Sequence, residues 1–166
     1  MSDEPPKRVT AEALPPMGWA GGWVPWTIAL DRSPNIYAVL QDFEAFPSGV
    51  RFSLRARFRP GVFDPLGTFP GAPGGPHIAV TFADGRTARV EPPSLGVAQP
   101  GDVVLNYHRG SGGSDEWTMV LWLSPLPPVG PRTFNIGWPE KGAPLSSATA
   151  EAADLISAAQ QAERLW

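Results

Sequence analysis

Proline and glycine recur along the whole chain and constrain its fold more than any other feature. The sequence has 21 prolines and 18 glycines among 166 residues. Proline removes a backbone donor and fixes φ, and glycine is a poor helix former, so long helices would be interrupted everywhere. A coiled coil or a helical bundle is therefore excluded, and short strands joined by turns are favoured.

The rest of the composition fits a single globular domain that is large enough to bury its own core. Hydrophobic residues make up 42% of the chain and charged residues 17%. Cysteine is absent, which excludes a disulfide-stapled fold and a cysteine-ligated zinc or iron–sulfur site. The formal net charge is −3, so we expect no nucleic-acid partner.

The start of the chain predicts neither export nor a membrane anchor. Its first residues are polar, and no hydrophobic region follows them as it would in a secretory signal. The longest strongly apolar run, from Met119 to Leu123, is too short to cross a bilayer. We therefore expect a cytoplasmic protein without membrane contact. Residues 1–25 predict an extended or partly disordered arm, because their mixture of proline and glycine cannot sustain a helix or a central strand.

Residues 26–145 predict an antiparallel β-sandwich of about eight strands, either immunoglobulin-like or jelly-roll-like. Short alternating segments are separated there by turn residues. The clearest one runs from Val50 to Arg59 and alternates without a fault. Its even-numbered residues are all apolar and should face the core, whereas arginines dominate the other face.

We expect the preceding segment to pair with this strand through a four-residue loop over residues 46–49. Glu44 then lies opposite Arg51, and the same register continued along the hairpin places Ala38 opposite Arg57. Apolar pairs and oppositely charged pairs agree on this register.

A second hairpin is predicted around a loop of three residues, 83–85. With Gly85 in a left-handed conformation, this loop places Val80 opposite Ala88 and keeps one face apolar. A two-residue turn would instead set a core residue against a charge. The longer loop is therefore the prediction.

Three further strands are predicted over 103–108, 117–123 and 132–138. The middle one is apolar on both faces, so we expect it inside a sheet rather than at an edge. The chain then ends in a predicted helix over 146–166, where apolar residues recur at helical spacing. Because its apolar stripe has few large side chains, this helix should pack on the sandwich.

The arginine face is the candidate binding surface. Its guanidinium groups form a row of fork-shaped donors suited to carboxylate or phosphate. A solvated sheet face is the simpler interpretation, because acidic residues of the neighbouring strand already face part of the row. We therefore name Arg55, Arg57 and Arg59 as the candidate contacts for another protein or an anionic ligand, with Arg57 and Arg59 the better placed.

A polar loop gives the alternative of a small hydrolase or isomerase. His108 would act there as an acid or base with Asp115 or Glu116. The intervening residues are rich in glycine, and catalysis needs rigid placement. No zinc spacing, calcium loop or phosphate cradle is present in the sequence. We therefore predict no catalytic residue, metal ligand or cofactor, and a non-catalytic module is favoured.

Seven tryptophans leave open a third function, a carbohydrate- or small-ligand-binding sandwich that uses exposed rings. Trp117, Trp122 and Trp138 lie in predicted strands with apolar neighbours. Because large aromatic side chains usually fill cores, core packing is favoured for these three.

The segment from Trp117 to Pro139 combines a tryptophan strand, a Pro-Leu-Pro-Pro-Val-Gly-Pro link and a second strand that ends in Trp138-Pro139. In this pattern the last third of the chain resembles a family of uncharacterised actinobacterial proteins. The resemblance implies no activity, cofactor or catalytic residue. The expectation from sequence is thus a β-sandwich binding or protein-interaction module.

Overall fold

The computed structural model describes residues 11–30, 32–61, 74–90, 101–113 and 115–166. Within these ranges the chain forms twelve strands in three antiparallel sheets and one α-helix near its C-terminal end. The predicted fold class, a mainly β sandwich with one C-terminal helix, is confirmed. Residues 1–10 of the predicted arm lie outside the described residues.

The elements follow one another in chain order as β1 Trp19–Ala20, β2 Gly22–Val24, β3 Ile28–Ala29, β4 Ile36–Phe46, β5 Gly49–Phe58, β6 His77–Thr81, β7 Thr87–Arg89, β8 Val104–Gly112, β9 Glu116–Ser124, β10 Pro131–Trp138, β11 Ala143–Glu151, α1 Ala153–Gln160 and β12 Glu163–Arg164. The large sheet has the order β2-β4-β5-β9-β8, with β3 also paired to β4. The second sheet has the order β11-β10-β6-β7, and β1 with β12 forms a small third sheet.

Aromatic rings join the two larger sheets at the centre of the core. Phe43 and Phe52 of the large sheet stack with their ring centroids 5.3 Å apart. Phe134 of the second sheet meets both rings edge-on, at 6.0 and 5.6 Å. All three side chains are almost fully buried. This cluster therefore holds the faces of the sandwich together.

The β4–β5 hairpin follows the predicted register near its turn. Glu44 lies opposite Arg51, as predicted. Phe46 also pairs with Gly49, so the connecting loop has two residues and the predicted four-residue loop was wrong.

A β-bulge at Asp42 changes the register further along this hairpin. Asp42 has a left-handed conformation with φ 57°, and two residues of β4 lie there opposite one residue of β5. Beyond the bulge Tyr37 lies opposite Arg57, and Ala38 lies opposite Ala56. The predicted pairing of Ala38 with Arg57 was therefore wrong. The extra residue shifts the pairing by one position and bends the strand.

The β6–β7 hairpin confirms the predicted three-residue loop. Val80 lies opposite Ala88, and the Phe82 amide donates to the Arg86 carbonyl across the loop. Gly85 has φ +87°, a conformation that costs glycine little because it has no Cβ.

Strand β9 lies between β5 and β8, inside the large sheet as predicted. Trp117, Trp122 and Trp138 are all buried. The core prediction is confirmed for Trp117 and Trp138, which belong to the hydrophobic core. Trp122 lies on the outer face, where an N-terminal segment covers it. Its Nε1 donates to the Glu12 carbonyl at 2.9 Å, and the Glu12 amide donates to Ser124 Oγ at 2.9 Å.

The helix predicted over 146–166 has to be corrected. Residues up to Glu151 form β11, an edge strand paired with β10, and α1 extends only over Ala153–Gln160. Along β11 the half-buried positions Ser146, Ala148 and Ala150 alternate with exposed ones. Because these inward positions carry small side chains, the two-residue period of a strand is hidden and the alanines resemble a helical stripe.

Helix α1 closes one edge of the sandwich by packing against β2 and β4. Leu155 is fully buried, and Ala158 and Ala159 are also buried. The backbone of Gly22 approaches the helix so closely that a Cβ at this position would overlap the Ala158 carbonyl oxygen. Small residues on both sides thus allow this close contact.

The chain then returns to the N-terminal segment. Trp19 of β1 lies opposite Arg164 of β12. The Leu165 amide donates to the Gly18 carbonyl at 2.8 Å. The later part of the segment predicted as an extended arm is therefore held in place by strand pairing.

Candidate functional site

The predicted arginines lie on the outer face of the large sheet. Arg51, Arg55 and Arg57 alternate along β5 with buried core residues, and Arg59 follows just after the strand ends. Strands β4 and β9 flank β5 on either side. The arginines are therefore presented by the most regular part of the fold.

Two ion pairs neutralise one half of this row. Arg51 binds Glu44 across the β4–β5 hairpin, and Glu44 is only 4% exposed. Arg55 binds Glu116 of β9. The hydrogen bond from Arg55 is the main reason that the pKa of Glu116 lies below its usual range. The solvated-face interpretation therefore describes Arg51 and Arg55, whose charges have partners within the sheet.

Arg57 lies opposite Glu116, the carboxylate that binds Arg55, and Arg59 follows beyond both ion pairs. Both arginines are exposed. Tyr37, 37% exposed, lies directly opposite Arg57. The guanidinium carbon of Arg32 is 5.0 Å from the centre of the Tyr37 ring, a cation–π distance. The Arg59 amide donates to the Asn35 carbonyl at 2.8 Å. We call Arg32, Tyr37, Arg57 and Arg59 the arginine corner.

Sequence reasoning missed Arg32 and Tyr37 as members of this corner. The predicted register turned Tyr37 toward the core and set Ala38 against Arg57. The bulge at Asp42 reverses this arrangement. The sequence signal for the bulge was an aspartate within a predicted strand, because Asp adopts the left-handed conformation more readily than most residues. Two acidic residues at the start of β9 adjoin the corner: the Asp115 carbonyl accepts the Phe58 amide, and Glu116 lies opposite Arg57.

The structure does not bring His108 together with Asp115 or Glu116. His108 lies in a bulge of β8 beside Val120. Glu116 lies four residues before Val120 on the same strand. At the rise of a strand, about 13 Å of backbone separates these two positions. The alternative enzyme would need a hydrogen bond between these groups, and this separation gives it no geometric support.

The electrostatic surroundings of His108 also differ from those of a carboxylate-supported base. Burial is the largest cause that lowers the pKa of His108, followed by the charges of Arg109 and Arg51. The imidazole is therefore neutral at pH 7. Within the described ranges, no cluster of three or more His, Asp or Glu side chains could hold a metal ion.

Trp23 and Trp166 are the tryptophans that face solvent, with 65% and 85% of their surface exposed. Trp23 belongs to β2 of the large sheet, whereas Trp166 follows β12 of the small sheet. A Cβ at Gly18 would come within 3.0 Å of the Trp166 indole nitrogen. The two exposed rings therefore belong to different sheets, and the sandwich faces do not carry them as one row.

A hydrophobic pocket lies between the two larger sheets, at the end of the sandwich where β4 begins. Its cavity volume is about 40 Å³, and it is partly open to solvent. Its lining combines small side chains with two indole rings, and includes Ala38, Ala56, Gly137, Ser146, Trp117 and Trp138. Sequence reasoning missed this pocket, since it depends on which small residues face one another across the sheets.

Arg132 is a buried charge at the opposite end of β10. It is 1% exposed, and its guanidinium carbon lies 4.5 Å from the ring centre of Trp26 and 5.3 Å from that of Phe134. None of its three side-chain nitrogens has a hydrogen-bond partner among the described residues. Burial lowers the pKa of Arg132 to about 10, although Asp154 and Glu151 act in the opposite direction. The group therefore stays charged at neutral pH, next to two aromatic rings.

Comparison with known protein families, with curated proteins and with solved structures found no match for this chain. The helical segments of the described part of the chain are too short or too polar to span a membrane. The arginine corner is thus the candidate site on the strength of its geometry.

Proposed function

We propose that this protein is a non-catalytic β-sandwich module that binds an acidic segment of a partner protein at the arginine corner. The division of the arginine row carries the proposal. Within the described part of the chain, Arg51 and Arg55 form ion pairs, whereas Arg57, which lies opposite Glu116, and Arg59 form none and are exposed. Two fork-shaped cations on a rigid strand end suit carboxylates that arrive from outside.

The other members of the corner support a protein partner. Arg32 stacks on Tyr37, and Tyr37 lies beside Arg57. Arginine and tyrosine are the residue types that most often anchor protein interfaces, because each combines apolar area with hydrogen-bonding groups. The formal net charge of the chain is −3, so net charge alone would not attract an acidic partner. The attraction has to come from a local cluster such as the corner.

A peptide-binding measurement tests this function. The probe is a fluorescently labelled peptide rich in glutamate and aspartate, titrated with the full chain at moderate salt. Because exposed ion pairs contribute about 0.2–1 kcal/mol each, the double variant Arg57→Gln/Arg59→Gln should bind about tenfold more weakly. The single variant Tyr37→Ser should also weaken peptide binding, although it leaves the net charge unchanged.

The matched control removes two exposed arginines elsewhere, as Arg89→Gln/Arg164→Gln. It changes net charge by the same amount and should leave peptide affinity within about twofold at moderate salt, where distant charges are screened. If both double variants lose affinity equally, the attraction depends on net charge alone and the proposed surface is wrong.

A further inference from the structure

We propose that the acidic segment bound by this protein is extended and carries two acidic groups about five residues apart, one at the arginine corner and the other at Arg109 of β8. This inference rests on the proposed function and specifies its partner. Arg109 is exposed and forms no ion pair with any of the described residues. Its guanidinium is therefore available to a carboxylate from outside.

A β-bulge places Arg109 on the same face as the arginine corner. In the β8–β9 ladder Tyr107 lies opposite Leu121 and Arg109 lies opposite Val120, so His108 is the extra residue. Tyr107 packs against the core. In an unbroken strand Arg109 would point to the same side as Tyr107, because side chains alternate with a period of two. The extra residue reverses this direction and turns Arg109 outward.

The bulge at Asp42 has the same effect on the other side of the sheet. It turns Tyr37 outward, where the ring lies opposite Arg57. Bulges re-aim side chains and are frequent next to functional sites. Two bulges in different strand pairs thus bring a ring and a cation to one surface, although regular strands would have turned both inward. This agreement favours a binding surface that extends beyond the corner.

The two ends of this surface are about 16 Å apart. On β9, Glu116 lies opposite Arg57, and Val120 lies opposite Arg109. The four residues of strand between these positions cover about 13 Å, and β5 and β8, on either side of β9, are about 10 Å apart. An extended segment advances about 3.3 Å per residue, so about five residues span from one arginine to the other.

The surface between the ends favours uncharged residues in the middle of the bound segment. Arg55 lies opposite Thr118, and Thr118 lies opposite Ser111. Arg55 is already bound to Glu116, whose carboxylate would repel another one placed beside it. The hydroxyl groups of Thr118 and Ser111 can hydrogen-bond to a neutral segment. An acidic group is therefore favoured at each end and disfavoured between them.

The N-terminal segment limits the surface beyond Arg109. Trp122 and Asn106 lie opposite each other on β9 and β8. Trp122 Nε1 donates to the Glu12 carbonyl, and Asn106 Nδ2 donates to the Ala13 carbonyl, both at 2.9 Å. These contacts cover that end of the outer face. The exposed part of the face therefore has the arginine corner at one end and Arg109 near the other.

Two labelled peptides of equal length and charge test the spacing. Each has four glutamates among serines, either as two Glu-Glu pairs separated by four serines or as one contiguous run. Both are titrated with the full chain at moderate salt. The unmodified protein should bind the spaced peptide about threefold more tightly, because only this peptide can reach Arg109 and the corner at once. Arg109→Gln should reduce this ratio to about one, and Arg109→Lys should retain part of the preference because it keeps the charge.

The matched control is Arg89→Gln, which removes an exposed arginine of β7 in the second sheet and should leave the ratio at about three. Equal affinities of the unmodified protein for the two peptides overturn the inference, and so does the same ratio in Arg109→Gln and Arg89→Gln. The corner has a separate readout. If Arg57→Gln/Arg59→Gln still weakens both peptides in that case, the proposed function stands without Arg109. If this double variant weakens neither peptide, both proposals are wrong.

Discussion

Replacing Arg132 with methionine should stabilise the protein, although it removes the largest buried polar side chain among the described residues. The guanidinium has lost its hydration, and none of its nitrogens has a hydrogen-bond partner among the described residues. Methionine is apolar and of similar length, so it can occupy the space beside Trp26 and Phe134 without leaving a charge there. Exchanging a buried ionic group for a packed apolar one is often neutral or stabilising.

The magnitude follows from the pKa. A decrease in the pKa of Arg132 from 12.5 to about 10 means that burial disfavours the charged form by about 3 kcal/mol. The two rings offset up to about 2 kcal/mol of this through cation–π attraction. The methionine variant loses the cation–π attraction, but it also avoids the larger cost of burying the charge. We expect its free energy of unfolding to rise by about 1–2 kcal/mol.

Urea denaturation of the two proteins measures this difference, with exposed Arg89→Met as the control. Because the pKa of Arg132 is lower in the folded than in the unfolded state, the cost is present in full below about pH 10. It is relieved as pH rises through that value. The advantage of the variant should therefore be constant from about pH 6 to 9 and shrink above pH 10. A loss of more than about 1 kcal/mol in the variant would refute the reasoning. It would show that the guanidinium gains more from a group such as Asp154 than burial costs it.

Two further predictions concern packing and titration. Gly22→Ala should destabilise the fold by about 3 kcal/mol because its Cβ overlaps the Ala158 carbonyl, whereas Gly113→Ala has nothing within 4 Å and should be near neutral. Equal urea midpoints for the two variants would contradict this. NMR titration should place the pKa of His108 below its ordinary 6.5, and Arg109→Gln should raise it. An unchanged value would remove the proposed charge effect.

The hairpins show how far sequence periodicity determines a strand pairing. Alternation in β5 predicted its buried face correctly, because burial enforces a two-residue period. It could not predict the bulge at Asp42, since one extra residue leaves the alternation of each flank intact. The predicted register was wrong by one position beyond the bulge. It placed Ala38 opposite Arg57, where the structure has Tyr37. Of the candidate site, Arg57 and Arg59 were therefore predicted, whereas Arg32 and Tyr37 were missed.

The end of the chain shows a different limit. Residues 146–151 contain alanine and serine at the inward positions of β11, and such small side chains give no strong period of either kind. Their pairing with β10 decides the structure. The pocket depends on the same information, because a gap arises only when small residues of separate strands face one another. Strand β11 and the pocket thus depend on contacts between strands that are distant in sequence, and local propensity does not predict such contacts.

The pairing of β1 with β12 affects the order in which the molecule can be completed during synthesis. Trp19 leaves the ribosome long before Arg164, its partner across the small sheet. Strand β2, at the edge of the large sheet, also waits for α1 to cover it. An uncovered strand edge can pair with strands of other chains. The nascent protein is therefore prone to aggregate until α1 has been synthesised and has packed on β2. Contact with α1 therefore makes this edge less accessible to the strands of other chains.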